Sequence, residues 1–288
     1  MYSLKSNPAA CWWTSLLAII TGIGCSCSSA SDNHPEGTLP FGVPAELAYA
    51  RLVYHRPDGV YGKSLSGGAA RQLVEGASYA RWSPDGETVA MVSGHEVLVY
   101  NWQTGETRTL ARVEQPRAVG FHPDGREVFF TDGQAIRAVH IKTGSVRQVL
   151  DGAPFFELDV ASDGTFMAAT VRVRGWRVRR YELPDGTYRE VARGCSAGVS
   201  PDGRWIMTNT GGHQRLDLRD SVNGEVSRTL HAPEGHTLNN HKWSNRNEWI
   251  AGIVQEPGTD IMAQRVSDGR TWRLTEHGDA DRPDLFIP

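Results

Sequence analysis

The chain has 288 residues, of which 39% are hydrophobic and 22% are charged, and it contains 31 Gly and 15 Pro. This composition is typical of a globular protein with a core and many turns, and it excludes a disordered chain, a collagen-like chain and a multi-span membrane protein. With 33 acidic against 30 basic residues the formal net charge is -3, so no general positive field exists to attract nucleic acid, and we predict no nucleic-acid partner.

Residues 1–30 have the pattern of an export signal. Lys5 precedes a short apolar stretch, 11–20, that is too short for a comfortable membrane span. Gly-Ile-Gly at 22–24, with small residues before Cys25, is similar to a bacterial lipobox, in which the cysteine is lipidated. Ser-Ser-Ala at 28–30 offers an ordinary cleavage site instead. We therefore predict a bacterial protein that is exported, either free in the periplasm or anchored as a lipoprotein at Cys25, and that touches a membrane only through such an anchor.

Residues 28–46 are rich in Ser, Pro and Gly, and residues 31–47 are interpreted as a tether. Of the four cysteines, Cys195 alone falls in the region predicted to fold, so no disulfide is expected there. A lone Cys is more often a small buried side chain than a nucleophile, and we interpret Cys195 in that way.

An internal repeat indicates the fold. The turn Trp-Ser-Pro-Asp-Gly at 82–86 recurs in related forms, and its aspartates at 85, 124, 163 and 202 are 39 residues apart; a degenerate copy spans 243–247. A fixed period near 40 residues with the same turn in each unit is typical of a β-propeller. Pro presets one turn dihedral, and Asp and Gly tolerate the others.

Each repeat supplies four predicted strands. The first ends at the apolar residue before the Asp-Gly turn, the second is an unbroken apolar run such as 89–92, and the third and fourth flank a Gly turn. Five whole units begin near residues 79, 118, 157, 196 and 240. A sixth unit is completed by joining strands at 51–54 and 71–74 to an innermost strand at 283–286. We predict an all-β fold over residues 48–288, a six-bladed β-propeller with four-stranded blades, closed by pairing of the N- and C-terminal ends.

The Trp-Ser-Pro-Asp-Gly turns and the outer strands Arg-Gln-Leu-Val (71–74) and Arg-Leu-Thr (273–275) resemble the WD40-like repeats of TolB-type propellers. The namesake of that family is the periplasmic protein of the Tol-Pal system. The resemblance implies a cell-envelope propeller that acts as a non-catalytic binding or scaffold module. We expect a monomer whose partner, an envelope protein or an anionic glycan, binds the face around the channel mouth.

That face carries the loops between strands two and three and the loops between blades. Loops of the fourth repeat place His213, His236 and His241 there, and His241 replaces residues that are apolar in the other repeats. Three imidazoles can hold a divalent transition metal, although loop histidines without a ligand, or a ligand without a metal, fit the same pattern. The candidate ligand-binding residues are Asn209, His213, His236, Asn239, Asn240, His241 and Asp284.

The histidine arrangement also resembles the metal-bearing propeller of oligogalacturonate lyases. The resemblance implies an alternative function, a metal-dependent lyase or hydrolase acting on acidic oligosaccharides. In that chemistry the metal would bind the uronate carboxylate and acidify the neighbouring proton. No residue is assigned a catalytic role, and our expectation favours a protein that is not an enzyme.

A second candidate site is the arginine-rich hairpin at 172–180. Strand alternation places Arg172 and Arg174 on one side of their strand, with Trp176 and Arg177 across the turn. These residues suit an anionic sugar or a carboxylate-rich partner. The alternative is a solvated edge balanced by nearby acids such as Glu182 and Asp185.

Overall fold

The computed structural model describes residues 41–183, 185–255 and 258–288. The predicted export signal, Cys25 and the first part of the predicted tether, 31–40, lie outside the described residues. Within the described ranges, no helix is long and apolar enough to cross a membrane.

The described residues form six four-stranded antiparallel sheets, which are the blades of a propeller. Blade 1 contains β4 (Ala77–Trp82), β5 (Thr88–Ser93), β6 (Glu96–Asn101) and β7 (Thr107–Arg112). Blade 2 contains β8 (Val119–Phe121), β9 (Glu127–Thr131), β10 (Ile136–His140) and β11 (Val146–Leu150). Blade 3 contains β12 (Phe155–Val160), β13 (Phe166–Arg172), β14 (Trp176–Glu182) and β15 (Tyr188–Arg193). Blade 4 contains β16 (Cys195–Val199), β17 (Trp205–Thr210), β18 (Arg215–Asp220) and β19 (Val226–His231). Blade 5 contains β20 (Thr237–Trp243), β21 (Trp249–Gln255), β22 (Thr259–Arg265) and β23 (Thr271–Arg273). Blade 6 contains β24 (Asp281–Phe286), β1 (Arg51–Arg56), β2 (Gly59–Ser64) and β3 (Arg71–Glu75).

The two ends of the chain close the ring. Strand β24 pairs antiparallel with β1, so the C-terminal strand is the innermost strand of blade 6. The innermost strands contact one another in the cyclic order β24, β4, β8, β12, β16 and β20. This closure confirms the predicted six-bladed fold, and it leaves no blade without neighbours on both faces.

The repeated turn is built by its own side chains. In blade 1, Asp85 Oδ1 accepts hydrogen bonds from the Ser83 hydroxyl (2.5 Å) and from the Glu87 amide (3.0 Å). Ser83 Oγ in turn accepts the Thr88 amide at 2.9 Å, which joins the turn to β5. Gly86 has φ +70°, and a Cβ there would lie 2.4 Å from the ring of Phe286. The Asp-Gly pair is therefore required both by turn conformation and by packing against blade 6.

The core lies between the blades. Trp82 of blade 1, for example, packs with Val53, Val60 and Phe286 of blade 6. Apolar runs in the second strands, such as Val89–Met91, are fully buried because each blade is covered on both faces.

The inner strands share a backbone irregularity. A residue other than Gly adopts positive φ, between +46° and +58°, at equivalent positions in four blades, and these residues are Tyr79, Ser196, Asn240 and Arg282. The strand register shifts at this point, as between Ser78 and Arg81. This bulge changes which side chains face the channel.

Residues 41–47 pack against the propeller. Leu47, in a short 3-10 helix (Ala45–Leu47), is fully buried in a cluster with residues of blades 5 and 6. The Gly42 amide donates to the Arg273 carbonyl at 3.2 Å, and Glu46 pairs with Arg265 at 2.9 Å. The packed region therefore begins before residue 48, where the sequence pattern places the boundary of the tether.

Candidate functional site

Four charged side chains lie at one level of the channel. Arg81, Asp159, Lys242 and Asp284 occupy equivalent positions of four inner strands, as their partners on the second strands show. Arg81 reaches across the channel and lies 3.1 Å from Asp159 and 3.6 Å from Asp284. The Lys242 ammonium donates to the carbonyl of Ala197 at 3.1 Å. This cluster closes the channel at mid-height.

The channel carboxylates also join neighbouring blades. Asp284 accepts the amide of Trp82 at 2.7 Å, and Asp159 accepts the amide of Val199 at 2.9 Å. Burial raises the pKa of Asp284 and lowers the pKa of Lys242, while the neighbouring opposite charges act against both shifts. The sequence suggests Asp284 as a candidate beside the histidines. In the structure its partners are Arg81 and the Trp82 amide.

The two ends of the channel differ in size. On the side of the Asp-Gly turns, the charged cluster is the floor of a cavity of about 320 Å³ walled by Trp82, Phe121 and Trp243. On the loop side, the space beside Tyr79 and Arg282 is about 40 Å³, room for roughly three water molecules. A partner on the loop side must therefore bind the rim of the channel rather than its interior.

His213 and Asn209 form one hydrogen-bonded unit on the loop side. His213 Nδ1 lies 3.1 Å from Asn209 Nδ2 and 3.2 Å from the carbonyl oxygen of Leu238. Asn209 Nδ2 donates to the same carbonyl at 2.6 Å. His213 has φ +70°, a strained conformation for a residue other than Gly. The structure thus brings two of the predicted residues together.

His241 is fully buried, and neither of its ring nitrogens has a hydrogen-bond partner. It packs directly on Gly252, where a Cβ would lie 2.5 Å from the imidazole ring. Burial lowers the pKa of His241 to about 3, and the charge of His213 lowers it further. His241 is therefore neutral at physiological pH.

The remaining polar candidates do not complete a metal centre. Asn240 Nδ2 donates to Asp281 at 2.5 Å, and the Asn239 side chain accepts the Asn240 amide at 2.9 Å. The His236 amide donates to the Pro233 carbonyl at 3.0 Å. In the part of the chain that the structure describes, no group of three or more His, Cys, Asp or Glu side chains is arranged to hold a metal ion. The metal site at His213, His236 and His241 stays a prediction.

The arginine-rich hairpin is the most exposed candidate. Arg172 pairs with Trp176 across the turn, and its guanidinium lies 5.3 Å from the centre of the Trp176 ring. Trp176 is 40% exposed, and its ring makes an edge contact with Phe156 at 4.7 Å. Arg177, also predicted for this site, pairs with Glu190 at 3.1 Å.

Sequence reasoning missed two members of this surface. Phe156 is the second residue of strand β12, and Arg117 lies just before β8 in the neighbouring blade, with its guanidinium 5.6 Å from the Phe156 ring. Neither residue belongs to a motif. The repeat alignment places Arg117 and Phe156 at the loop end of an inner strand. That position is the only feature of the sequence that could have indicated them as members of this surface.

The protein is a six-bladed β-propeller whose channel is closed by the charged side chains of Arg81, Asp159, Lys242 and Asp284. The structure is similar to TolB from Acinetobacter baumannii, with a TM-score of 0.66 and 16% identity over 84% of this chain and 68% of that one. It is also similar to a putative TolB from Agrobacterium tumefaciens, with a TM-score of 0.63 and 14% identity over 82% and 97% of the two chains. A structure of a nidogen/laminin complex matches with a TM-score of 0.67 and 11% identity over 82% and 98%. No protein-family model and no curated protein matches the sequence. The chain thus has a TolB-type propeller fold.

Proposed function

We propose that the chain is an exported cell-envelope propeller that acts as a non-catalytic binding or scaffold module through its loop face. The fold similarity to TolB proteins supports this proposal, and one of the similar structures is a complex of nidogen with laminin. Export is supported by the pattern of residues 1–30.

The proposal rests on the hydrogen bonds and ion pairs that the channel residues make. Arg81, Asp159 and Asp284 are bonded to one another or to backbone amides of neighbouring blades, so their charges stabilise the ring. Burial raises the pKa of the Cys195 thiol to about 11, far from the range of a reactive thiolate. The groups around the channel are thus arranged for a rigid ring, whereas the exposed arginine-rich hairpin lies on the loop rim.

Cross-linking from two faces tests the binding role. Val173 lies on the loop face and is 36% exposed, and Val222 lies on the Asp-Gly face and is 77% exposed. A photo-cross-linking amino acid is placed at each position in the full chain, in cells. We expect discrete adducts from position 173 and none from 222. Adducts from 222 alone, or from neither position, would contradict a loop-face binding module.

Export is tested separately. Fractionation and mass spectrometry of the mature N-terminus distinguish a lipid on Cys25 from simple cleavage near residue 30. An unprocessed Met1 in the cytoplasmic fraction would overturn the export proposal.

One observation favours the alternative of a metal-dependent enzyme acting on acidic oligosaccharides. Both ring nitrogens of His241 are buried without a partner, which is costly unless a ligand pairs with them. Metal content of the purified protein is measured beside His241→Ala and the control His95→Ala, which changes an exposed histidine. About one transition metal per chain, lost in H241A alone and accompanied by cleavage of an oligogalacturonate, would replace the binding proposal.

A further inference from the structure

The loop rim of blades 2 and 3 carries a basic aromatic patch, which we define as Arg117, Phe156, Arg172, Arg174 and Trp176. We propose that this patch binds an acidic polypeptide segment of the partner, through carboxylates gripped by its arginines. The inference rests on the proposed function and names the site and the chemistry of the partner.

The patch carries three arginines and no acidic residue. Two other arginines of blade 3 are paired with carboxylates, since Arg177 pairs with Glu190 and Arg180 pairs with Glu182. Within residues 41–183, 185–255 and 258–288, no carboxylate lies within ion-pairing distance of the patch arginines Arg117, Arg172 and Arg174. The whole chain has a net charge of -3, so this positive charge is local and unbalanced. Unpaired guanidinium groups bind carboxylates through two parallel hydrogen bonds.

The side chains of the patch contact one another. Arg172, Trp176, Phe156 and Arg117 form a continuous row in which each guanidinium covers one aromatic ring. Such contacts hold long side chains in place, so that less conformational entropy is lost when a partner binds. Arg174 lies in the turn of the hairpin with φ +50°, a strained conformation for a residue other than Gly.

The position of Arg172 on the Trp176 ring favours a polypeptide over a glycan. A sugar ring packs its C–H face on an open aromatic face. Here the Arg172 guanidinium lies 5.3 Å from the centre of the Trp176 ring, so a sugar can pack on that face of the ring only by displacing Arg172. The Arg172 and Arg174 side chains are exposed, and their guanidinium groups suit the flexible carboxylates of Asp and Glu side chains.

The test measures binding of a fluorescent poly-glutamate peptide to the full chain by anisotropy, with an oligogalacturonate of equal charge as competitor. The double variant Arg172→Glu/Arg174→Glu is compared with Arg126→Glu/Arg270→Glu, which reverses two exposed arginines on the Asp-Gly face. Trp176→Ala is the third variant. Thermal melting of each variant checks that it is folded.

We expect R172E/R174E to bind the peptide at least about tenfold more weakly, R126E/R270E to bind it as the natural chain does, and W176A to bind it a few-fold more weakly. Oligogalacturonate should compete poorly. Equal loss in both double variants, binding of oligogalacturonate in preference to the peptide, or no binding of the peptide would each overturn the inference. Cross-links from position 173 that persist in R172E/R174E would overturn the inference and leave the binding function standing.

Discussion

The side chain of Arg108 in blade 1 donates a 2.8 Å hydrogen bond to the backbone carbonyl of Ile141 in blade 2. The same contact recurs at other junctions, where an arginine of the outer strand reaches the carbonyl that follows the third strand of the next blade. The further pairs are Arg71 with Trp102, Arg189 with Ser221, and Arg228 with Val266. At the equivalent position of blade 2, Arg147 pairs instead with Glu127 of its own blade, at 2.6 Å. At these four junctions the blades are thus joined by a hydrogen bond at their outer edges, which we call a latch, as well as by packing of their faces.

Removing one latch should weaken the ring. We expect Arg108→Ala to lower the free energy of unfolding by about 1 kcal/mol, because a charged donor to a carbonyl is lost at an exposed site. Arg126→Ala, which removes an exposed arginine whose side chain makes no latch, should change it by less than about 0.5 kcal/mol. Urea denaturation measures both values. Equal effects of the two substitutions would show that the Arg108–Ile141 contact adds nothing to stability.

The fold was predictable because turn chemistry and apolar runs repeat in every blade. The Trp-Ser-Pro-Asp-Gly turn at 82–86 marks where the first strand of its blade ends and the second begins. The N-terminal unit lacks a first strand, which indicates that the C-terminal strand β24 completes it. These signals are local in sequence, so a single chain contains them.

The channel residues were not predictable in the same way. Arg81 and Lys242 face the channel because the bulges at Tyr79 and Asn240 change the alternation of their strands. The repeat alignment draws attention to His241 instead, because the equivalent residues of the other repeats are apolar, and His241 lies buried against Gly252. The basic aromatic patch is likewise invisible in sequence, because Arg117 and Phe156 meet only when two blades are placed side by side.

Two glycines of the repeated turn allow a matched test of ring closure. Gly86 and Gly125 both have φ +70°, but a Cβ at Gly86 would lie 2.4 Å from Phe286, whereas a Cβ at Gly125 would have nothing within 4 Å. Gly125→Ala should cost about 1–2 kcal/mol for the left-handed backbone alone. Gly86→Ala should cost about 1–3 kcal/mol more, because Phe286 must move and the junction of blades 6 and 1 loosens. Thermal or urea unfolding of the two variants measures the difference in the free energy of unfolding. Equal costs would mean that Phe286 does not pack against Gly86 as described.

His241 should make stability depend on pH. Its folded pKa of about 3 lies below the unfolded value of 6.5, so the unfolded chain binds the proton more readily. Its contribution is fully present above about pH 6.5 and is lost as pH falls towards 3, by up to about 1.4 kcal/mol per pH unit. His241→Val should flatten the fall in urea midpoint between pH 6.5 and 4, whereas His95→Val, at an exposed site, should leave it unchanged. A fall of the same steepness in H241V would show that His241 is not responsible.

Cys195 should resist modification in the folded protein. Burial raises the pKa of its thiol to about 11, and an exposed thiol has a pKa of about 8.5, so the reactive thiolate at pH 8 is scarcer by roughly two orders of magnitude. In a full chain with Cys11, Cys25 and Cys27 replaced by Ser, alkylation by iodoacetamide should be at least about 100-fold slower in buffer than in 8 M urea. The rate in urea is the internal control, because unfolding restores the ordinary thiol. A fast reaction in the folded state would mean that Cys195 is ionised at the channel rim, and it would reopen the question of a nucleophile there.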